Sequence, residues 1–268
     1  MAGFSFKMIQ KGTQKKARKV ILYGPPKLGK STLAGSTKGA LLIPTEDRVA
    51  HIACDKSPLV EEYWQMTEIF DWLLSKENLS YKRVIIDTID WLEPIIHKHV
   101  CEKNKWSSLT DDHNKETAFS KGLKYHAVAA WREFLAKCDD LRDAGIDVIL
   151  VSHAQIVKVN LPDLDEYDKY VMKIDKNALP VLEEWTDVIA FYNKDIIVRK
   201  GEGLNAKKGK ALATNTRTLH LTGESASMIS GNSFGLEDIE VEVEACTKIM
   251  EYILTGPFPE KTKTTGGQ

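Results

Sequence analysis

Two glycines, a lysine and a serine are spaced in the stretch GPPKLGKS, residues 24–31, as in the pattern G-x-x-x-x-G-K-[ST]. The preceding KVILY is typical of a short buried strand, and the following STLAGS can open a helix. In that setting backbone N–H groups of the loop point into a concavity where the helix dipole also favours an anion. The stretch therefore predicts a site for nucleotide phosphates; the alternative is a Gly/Pro turn with an incidental lysine.

The residue types of this loop each have a chemical reason. Gly24 and Gly29 would let the backbone close tightly and leave room for phosphate oxygens. Lys30 would reach the β- and γ-phosphates. The Ser31 hydroxyl would coordinate Mg²⁺, which prefers hard oxygen ligands. We therefore expect the loop to hold a nucleotide together with its metal ion.

A second ligand for the metal is predicted at Asp87. The stretch YKRVIIDTIDWL places it directly after an apolar run, residues 84–86, that is typical of a buried strand. A carboxylate at the carboxyl end of a parallel strand lies in the crevice where such sheets bind ligands. Asp87 is therefore the candidate Walker B aspartate; the alternative is a helix N-cap.

A base for water activation is predicted at Glu46. It follows the apolar run of residues 41–43 in GALLIPTEDR, and a carboxylate there could polarise an attacking water. The alternative is a solvated loop acid. The run DVILVSHAQ, residues 147–155, ends in Ser152, His153 and Gln155, which are placed to sense a γ-phosphate. The alternative for His153 is a structural role.

Composition excludes some classes of protein. With 37 basic and 38 acidic residues the formal net charge is −1, so nucleic acid would have to be bound by local segments rather than overall charge. No apolar run reaches the length of a membrane span and the first residues lack a signal-peptide core, so we expect a cytoplasmic protein that does not bind membranes. The basic residues Lys15, Lys16, Arg18 and Lys19 indicate a solvated approach to the first strand.

The order of these motifs is similar to that of the RecA-fold P-loop ATPases. The stretches FSKGLKYHAVAAWREFL, VILVSHAQ, EYDKYVMKIDKNALPVLEEWTDVIAFY and ISGNSFGL resemble a phage-encoded branch that includes RecA-like single-strand annealing proteins. This resemblance covers residues 18–240. It implies that Mg²⁺ is held by Ser31 and Asp87, that Glu46 activates water, and that His153 stands where the family has a sensor glutamine. It also implies that ATP is held by Gly24, Pro25, Pro26, Lys27, Leu28, Gly29, Lys30, Ser31 and Thr32.

The predicted fold is α/β. Strands predicted at 20–23, 41–43, 84–86 and 148–151 alternate with helical patterns, which indicates a mostly parallel twisted sheet flanked by helices. Later segments alternate like strands and predict a C-terminal antiparallel hairpin. We expect a RecA-like ATPase domain over 18–255, an N-terminal arm over 1–17 that serves oligomerisation or tucks in, and a disordered tail over 256–268.

The resemblance also implies that a loop after the sensor strand, within 155–180, reports nucleotide state to bound DNA. Tyrosines there could stack on bases and lysines could meet phosphates, although nearby acids largely cancel the lysines. The candidates are Lys158, Tyr167, Lys169, Tyr170, Lys173 and Lys176. A second basic contact is predicted at Lys207, Lys208 and Lys210, for which a solvated turn is the alternative.

Oligomeric RecA-fold ATPases place a cation at the nucleotide of a neighbouring subunit. The candidates here are Arg199, Lys200 and Arg217, and the sequence does not choose among them. The resemblance therefore implies a Mg²⁺-dependent ATPase, weak by itself, that forms a ring or filament. It would bind single-stranded DNA and promote annealing in phage recombination, in the host cytoplasm and alongside single-strand binding or replication proteins. The alternatives are a helicase loader acting on a protein partner and a nucleotide-binding switch without turnover; a small-molecule kinase ranks last.

Overall fold

The computed structural model describes residue 12 and residues 14–75, 80–162, 165–199 and 210–256. At 196–199, 210–215 and 243 only the backbone is described. Several predictions therefore fall outside the described residues: most of the N-terminal arm, the tail beyond Gly256, and Lys200, Lys207 and Lys208. Arg199 and Lys210 are described as strand positions without their side chains.

The apolar, β-branched runs of the sequence form the strands of one sheet. Its described strands are β1 (Lys19–Gly24), β2 (Ala40–Pro44), β3 (Asp55–Lys56), β4 (Arg83–Asp87), β5 (Asp147–Val159), β6 (Tyr167–Met172), β7 (Val188–Arg199), β8 (Lys210–His220), β9 (Gly231–Asn232) and β10 (Ile239–Glu240). The order is β10-β8-β7-β1-β5-β4-β2-β3, with β6 paired to β5 and β9 paired to β7.

The helices have the amphipathic pattern expected of elements that cover a sheet. They are α1 (Lys30–Gly35), α2 (Tyr63–Leu74), α3 (Ile89–Asn104), α4 (Val128–Asp143), α5 (Leu179–Trp185) and α6 (Cys246–Thr255). A π-helical turn, Gly122–Ala127, leads into α4. Among the described helices none is long and apolar enough to cross a membrane.

The strands from β1 to β5 that neighbour one another in the sheet are parallel, and β7 joins β1 in parallel as well. The C-terminal strands β8, β9 and β10 are antiparallel to their neighbours. This confirms the predicted α/β fold with a mostly parallel sheet and a C-terminal antiparallel hairpin.

The parallel register brings several strand ends to one edge of the sheet. Gly24 at the end of β1 is paired with His153 on β5. Pro44 at the end of β2 is paired with Asp87 at the end of β4. In open α/β sheets ligands bind outside the carboxyl ends of the strands. The loops that follow these residues therefore share one crevice.

Both faces of the sheet are covered, so neighbouring residues of a central strand enter different cores. On β1, Ile21 and Tyr23 pack with the residues of α2, α3 and α4, including Trp131. Val20 and Leu22 pack instead with α1 and α6. The two layers fix β1, and with it the start of the loop after Gly24, from both sides.

The segment after the sensor strand is not the loop that the sequence predicted. β5 continues past the edge of the sheet to Val159 and pairs antiparallel with β6, from Ala154 with Met172 to Val159 with Tyr167. We call residues 154–172 the ribbon. Of the residues that indicated a loop, Pro162 and Asp165 lie between the two strands. The strand residues on either side alternate between exposed and half-buried positions, as is typical of a strand.

The basic run before β1 is also not fully solvated. Arg18 is 2% exposed and donates to the carbonyls of Ile253 and Gly256, each at 2.7 Å. Its guanidinium lies 3.7 Å from the centre of the Phe234 ring. The last carbonyls of a helix lack partners within the helix, so Arg18 satisfies groups at the end of α6. Arg18 is therefore part of the core, while Lys15 and Lys16 remain exposed as predicted.

Candidate nucleotide-binding site

The loop between β1 and α1 has the backbone that its glycines predicted. Gly29 adopts φ of 95°, in the left-handed region that favours glycine. A Cβ atom on Gly24 would lie 2.0 Å from the Tyr192 carbonyl oxygen, so no other residue fits without a shift of the backbone. The non-glycine Lys27 also has a positive φ of 63°, at the exposed tip of the loop. The loop therefore depends on glycine at both ends of Pro25–Leu28.

Lys30 is folded back over this loop. Its Nζ donates to the carbonyls of Gly24 at 3.0 Å and Pro25 at 2.9 Å, and the residue is 5% exposed. Burial lowers the pKa of Lys30 to about 8, although the charges of Asp87, Asp90 and Glu46 act against that shift. Among the described residues its hydrogen bonds go to carbonyls, which attract an ammonium less strongly than phosphate oxygens do.

Asp87 is fully buried, and within the described part of the chain neither of its carboxylate oxygens has a hydrogen bond of ordinary geometry. Burial raises its pKa, whereas the adjacent Ser31 hydroxyl and the Lys30 charge lower it. A buried carboxylate without partners is costly unless it meets a cation. Carboxylate and hydroxyl oxygens are hard ligands, so Asp87 and Ser31 fit Mg²⁺.

Thr45 fixes the position of Asp87 from the neighbouring strand. Its hydroxyl donates to the Thr88 carbonyl at 2.6 Å and accepts from the Thr88 N–H at 2.8 Å. Its own N–H donates to the Asp87 carbonyl at 2.9 Å. These bonds hold the ends of β2 and β4 together, and they place the next residue of the chain, Glu46, beside the same crevice.

A cleft of about 360 Å³ opens between these elements, and its walls include Lys30, Ser31, Glu46, Thr88 and His153. The cleft therefore brings together the phosphate loop, the predicted base and the predicted sensor. Of the two predicted metal ligands, Ser31 lines the cleft itself and Asp87 is represented by its neighbour Thr88. Glu46 is half-buried and its charge acts on both Lys30 and Asp87. A carboxylate at the rim of such a cleft can accept a proton from water.

His153 is held by Asp90, a residue that the sequence reasoning missed. The Asp90 carboxylate accepts the His153 backbone N–H at 3.0 Å and lies 2.9 Å from the ring Nδ1. Burial raises the pKa of Asp90, but the hydrogen bonds from His153 outweigh it and the net shift is downward. An ionised carboxylate only accepts, so Nδ1 carries the proton and Nε2 is left for the cleft. Asp90 lies on the first turn of α3, three residues after Asp87 at the end of β4.

Of the three candidates for a cation acting on a neighbouring subunit, only Arg217 has a described side chain. The Arg199 side chain and the whole of Lys200 lie outside the described residues. Arg217 reaches the phosphate loop of its own chain, where its Nη1 donates to the Leu28 carbonyl at 3.0 Å. Arg217 thus contacts the phosphate loop of the chain to which it belongs.

The predicted DNA contacts lie mostly on the ribbon and in the turn after it. The Lys158 ammonium is engaged in an ion pair with Glu166. The Tyr170 ring packs on Phe191 with 5.1 Å between ring centres, so it is not free to stack on a base. Tyr167 and Lys169 are half-buried on β6, while Lys173 and Lys176 are exposed. Lys207 and Lys208 are outside the described residues, and Lys210 is described as a backbone position of β8 only.

Comparison with known proteins gives the family. Residues 16–228, well over half of the chain, match the family model described as AAA domain. The chain belongs to this AAA domain family. A comparison with curated proteins gave no match. Among solved structures the chain is similar to the RadB recombinase, at 13% identity and a TM-score of 0.40, over 75% of this chain and 79% of that one.

Proposed function

We propose that this AAA domain protein binds ATP with Mg²⁺ and hydrolyses it in the cleft described above. The observation that supports this proposal most strongly is Asp87, a fully buried carboxylate without a hydrogen-bond partner of ordinary geometry among the described residues, beside the Ser31 hydroxyl and the Lys30 ammonium. A structural aspartate at such a place would be paired. A metal ligand needs free oxygens.

Different residues in and near the loop bind the phosphates and the metal ion in this proposal. Backbone N–H groups of the non-proline residues between Gly24 and Thr32 surround the phosphates, and Lys30 moves its Nζ from the carbonyls of Gly24 and Pro25 to phosphate oxygens. Ser31 and Asp87 would hold Mg²⁺, which when bound would supply positive charge where charge develops on the transferred phosphoryl group.

Glu46 and His153 act on the water and the terminal phosphate. The Glu46 carboxylate orients water and accepts its proton. In the imidazolium form both ring nitrogens of His153 donate, so Nε2 binds a phosphate oxygen while Nδ1 stays on Asp90. In this proposal His153, at the end of the parallel part of β5, acts as the sensor of the terminal phosphate.

We also propose an effector that stimulates the hydrolysis. We infer that single-stranded DNA is the effector, and this choice of ligand is supported by the sequence resemblance. The structure offers a path to such an effector, because β5 runs without a break from His153 into the ribbon. The Lys173 N–H donates to the His153 carbonyl at 2.8 Å, which ties the far end of the ribbon to the same residue. A change at His153 therefore reaches the exposed Lys173 and Lys176 over a short path. Strand annealing in phage recombination, by a ring or filament of this chain, is supported by the sequence resemblance alone.

The deciding experiment measures ATP hydrolysis by the full chain with and without single-stranded DNA, at low and moderate salt. We expect weak hydrolysis that Lys30→Ala abolishes and that DNA stimulates, less so as salt rises. The double variant Lys173→Gln/Lys176→Gln should lose the stimulation and keep the basal rate. Lys248→Gln, which removes an exposed lysine on α6, is the matched control.

Other outcomes assign the function differently. Hydrolysis that Lys30→Ala abolishes but DNA leaves unchanged would retain the ATP site and refute the DNA part, in favour of a protein partner such as a helicase. Tight ATP binding without phosphate release under any condition would indicate a nucleotide switch. Full hydrolysis by folded Lys30→Ala would refute the site itself.

A further inference from the structure

Arg217 connects the antiparallel hairpin of β7 and β8 with the phosphate loop. It lies on β8, and its Nη1 donates to the carbonyl of Leu28, 189 positions earlier in the chain, at 3.0 Å. The same Nη1 lies 3.5 Å from where a Cβ atom on Gly29 would stand. Arg217 is not among the residues that line the cleft, whereas Gly29 is. The guanidinium therefore lies behind the loop rather than in the nucleotide site.

The direction of this hydrogen bond has a consequence for Gly29. The Leu28 carbonyl and the Gly29 N–H belong to one planar trans peptide, so they point in opposite directions. By holding the carbonyl, Arg217 also fixes the direction of the Gly29 N–H, which points away from the guanidinium. Glycine at φ 95° has little steric preference of its own, so an external contact is needed to set this peptide plane.

The hairpin also supports the beginning of the loop. Gly24 lies against the backbone of Tyr192 on β7, so closely that a Cβ atom at Gly24 would come within 2.0 Å of the Tyr192 carbonyl oxygen. Burial raises the pKa of the Tyr192 hydroxyl, and the neighbouring Arg217 guanidinium opposes that shift. Tyr192 and Arg217 thus lie side by side and contact opposite ends of the phosphate loop.

We propose that Arg217 is a positioning residue: it holds the Leu28 carbonyl so that the Gly29 N–H is preset toward the nucleotide phosphates. This proposal rests on the proposed function, because it concerns the same nucleotide site. It makes nucleotide affinity depend on the geometry of the β7–β8 hairpin. It also assigns Arg217 to its own chain, where the sequence had suggested a neighbouring subunit.

The test is nucleotide binding by the dilute, full-length chain, measured calorimetrically with Mg²⁺·ADP and Mg²⁺·ATP. We expect Arg217→Gln to weaken the binding of both nucleotides about tenfold, the usual effect of losing one hydrogen bond to a charged group. Arg217→Lys should recover part of the affinity, because an ammonium can still donate to the carbonyl. Thermal unfolding of each variant separates lost positioning from lost folding.

Lys194→Gln is the matched control. Lys194 is paired with Arg217 across the two strands and carries the same charge. Among the described residues its side chain has no hydrogen bond to the loop. Its removal should leave both affinities within about twofold of the unmodified chain. If Lys194→Gln lost as much nucleotide affinity as Arg217→Gln, the loss would reflect the removal of a positive charge rather than of the bond to Leu28. That result would overturn the proposal.

Further outcomes distinguish failure of the proposed role of Arg217 from failure of the proposed nucleotide site. Unchanged binding by Arg217→Gln, together with slower hydrolysis that unmodified subunits restore in mixtures, would place Arg217 at a neighbour's nucleotide and overturn the proposal. If Lys30→Ala binds nucleotide as well as the unmodified chain, the proposed function fails as well. If Lys30→Ala loses binding and Arg217→Gln keeps it, the site stands and the role of Arg217 alone is refuted.

Discussion

The Asp90 carboxylate holds His153 at two points, the backbone N–H at 3.0 Å and the ring Nδ1 at 2.9 Å. Asp90 lies on the first turn of α3, directly after the strand that ends in Asp87, while His153 lies on the neighbouring strand β5. The pair therefore joins the end of β4, beside Asp87, to the strand that continues into the ribbon. A change in the position of His153 must be accompanied by a change at Asp90.

The first prediction removes one of these two bonds. In Asp90→Asn the amide can accept a single N–H through its oxygen, and its NH₂ group faces the second donor. The ring therefore either turns away from residue 90 or moves its proton from Nδ1 to Nε2, and in both cases the arrangement set by the carboxylate is lost. We expect the ATP hydrolysis rate to fall about 10- to 100-fold, the effect of a lost hydrogen bond to a charged group. ADP binding, measured by calorimetry, should stay within about twofold.

The control for this prediction is Asp71→Asn, which removes an exposed carboxylate on α2, outside the cleft. It should hydrolyse ATP at the unmodified rate. Normal hydrolysis by folded Asp90→Asn would show that the orientation of His153 does not matter for the chemistry.

The second prediction tests the base. Glu46→Gln keeps the shape of the side chain but cannot accept a proton, so hydrolysis should fall by about 100-fold or more while ATP binding remains. The next residue offers a matched control, since Asp47 is exposed and does not line the cleft. Asp47→Asn should behave as the unmodified chain. The reverse result, with Asp47→Asn inactive and Glu46→Gln active, would assign the base to Asp47.

The third prediction follows from the pKa of Lys30, which burial lowers to about 8. Phosphate binding favours the charged ammonium, so affinity is full below this pKa and falls as the pH rises through it. Between pH 7 and pH 9 the dissociation constant of Mg²⁺·ATP should increase about tenfold, as for one linked proton. Lys30→Arg, whose guanidinium stays charged, should bind with little change over the same range. An equal pH dependence in both proteins would trace the effect to another group.

Features of this site that consist of consecutive residues could be predicted from the sequence, whereas contacts between distant residues could not. The phosphate loop and the strand ending in Asp87 are contiguous stretches, and both were predicted. The contact between Arg217 and Leu28 joins residues 189 positions apart, and nothing near Arg217 indicates where its side chain goes. Such a contact depends on the register of β7 with β8, which the sequence alone does not fix.

The ribbon shows a different limit. Proline and aspartate at its turn outweighed the alternation in QIVKV and YDKYVM on either side, so a loop was predicted where two strands pair. Arg18 shows a third limit. Its neighbours Lys15 and Lys16 are exposed, whereas the end of α6 and the Phe234 ring, both far away in the sequence, surround its guanidinium.

The last prediction concerns that buried guanidinium. Arg18→Met retains much of the side-chain volume but leaves the carbonyls of Ile253 and Gly256 without their donor. An unsatisfied buried carbonyl costs about 1–3 kcal/mol, and the Gly256 carbonyl is only partly buried, so the free energy of unfolding should fall by about 2–5 kcal/mol. Lys16→Met, which removes a similar charge from an exposed pair with Asp143, should change it by less than about 0.5 kcal/mol. Urea unfolding of both variants measures the difference. Equal stability of the two would mean that water replaces the guanidinium at the end of α6.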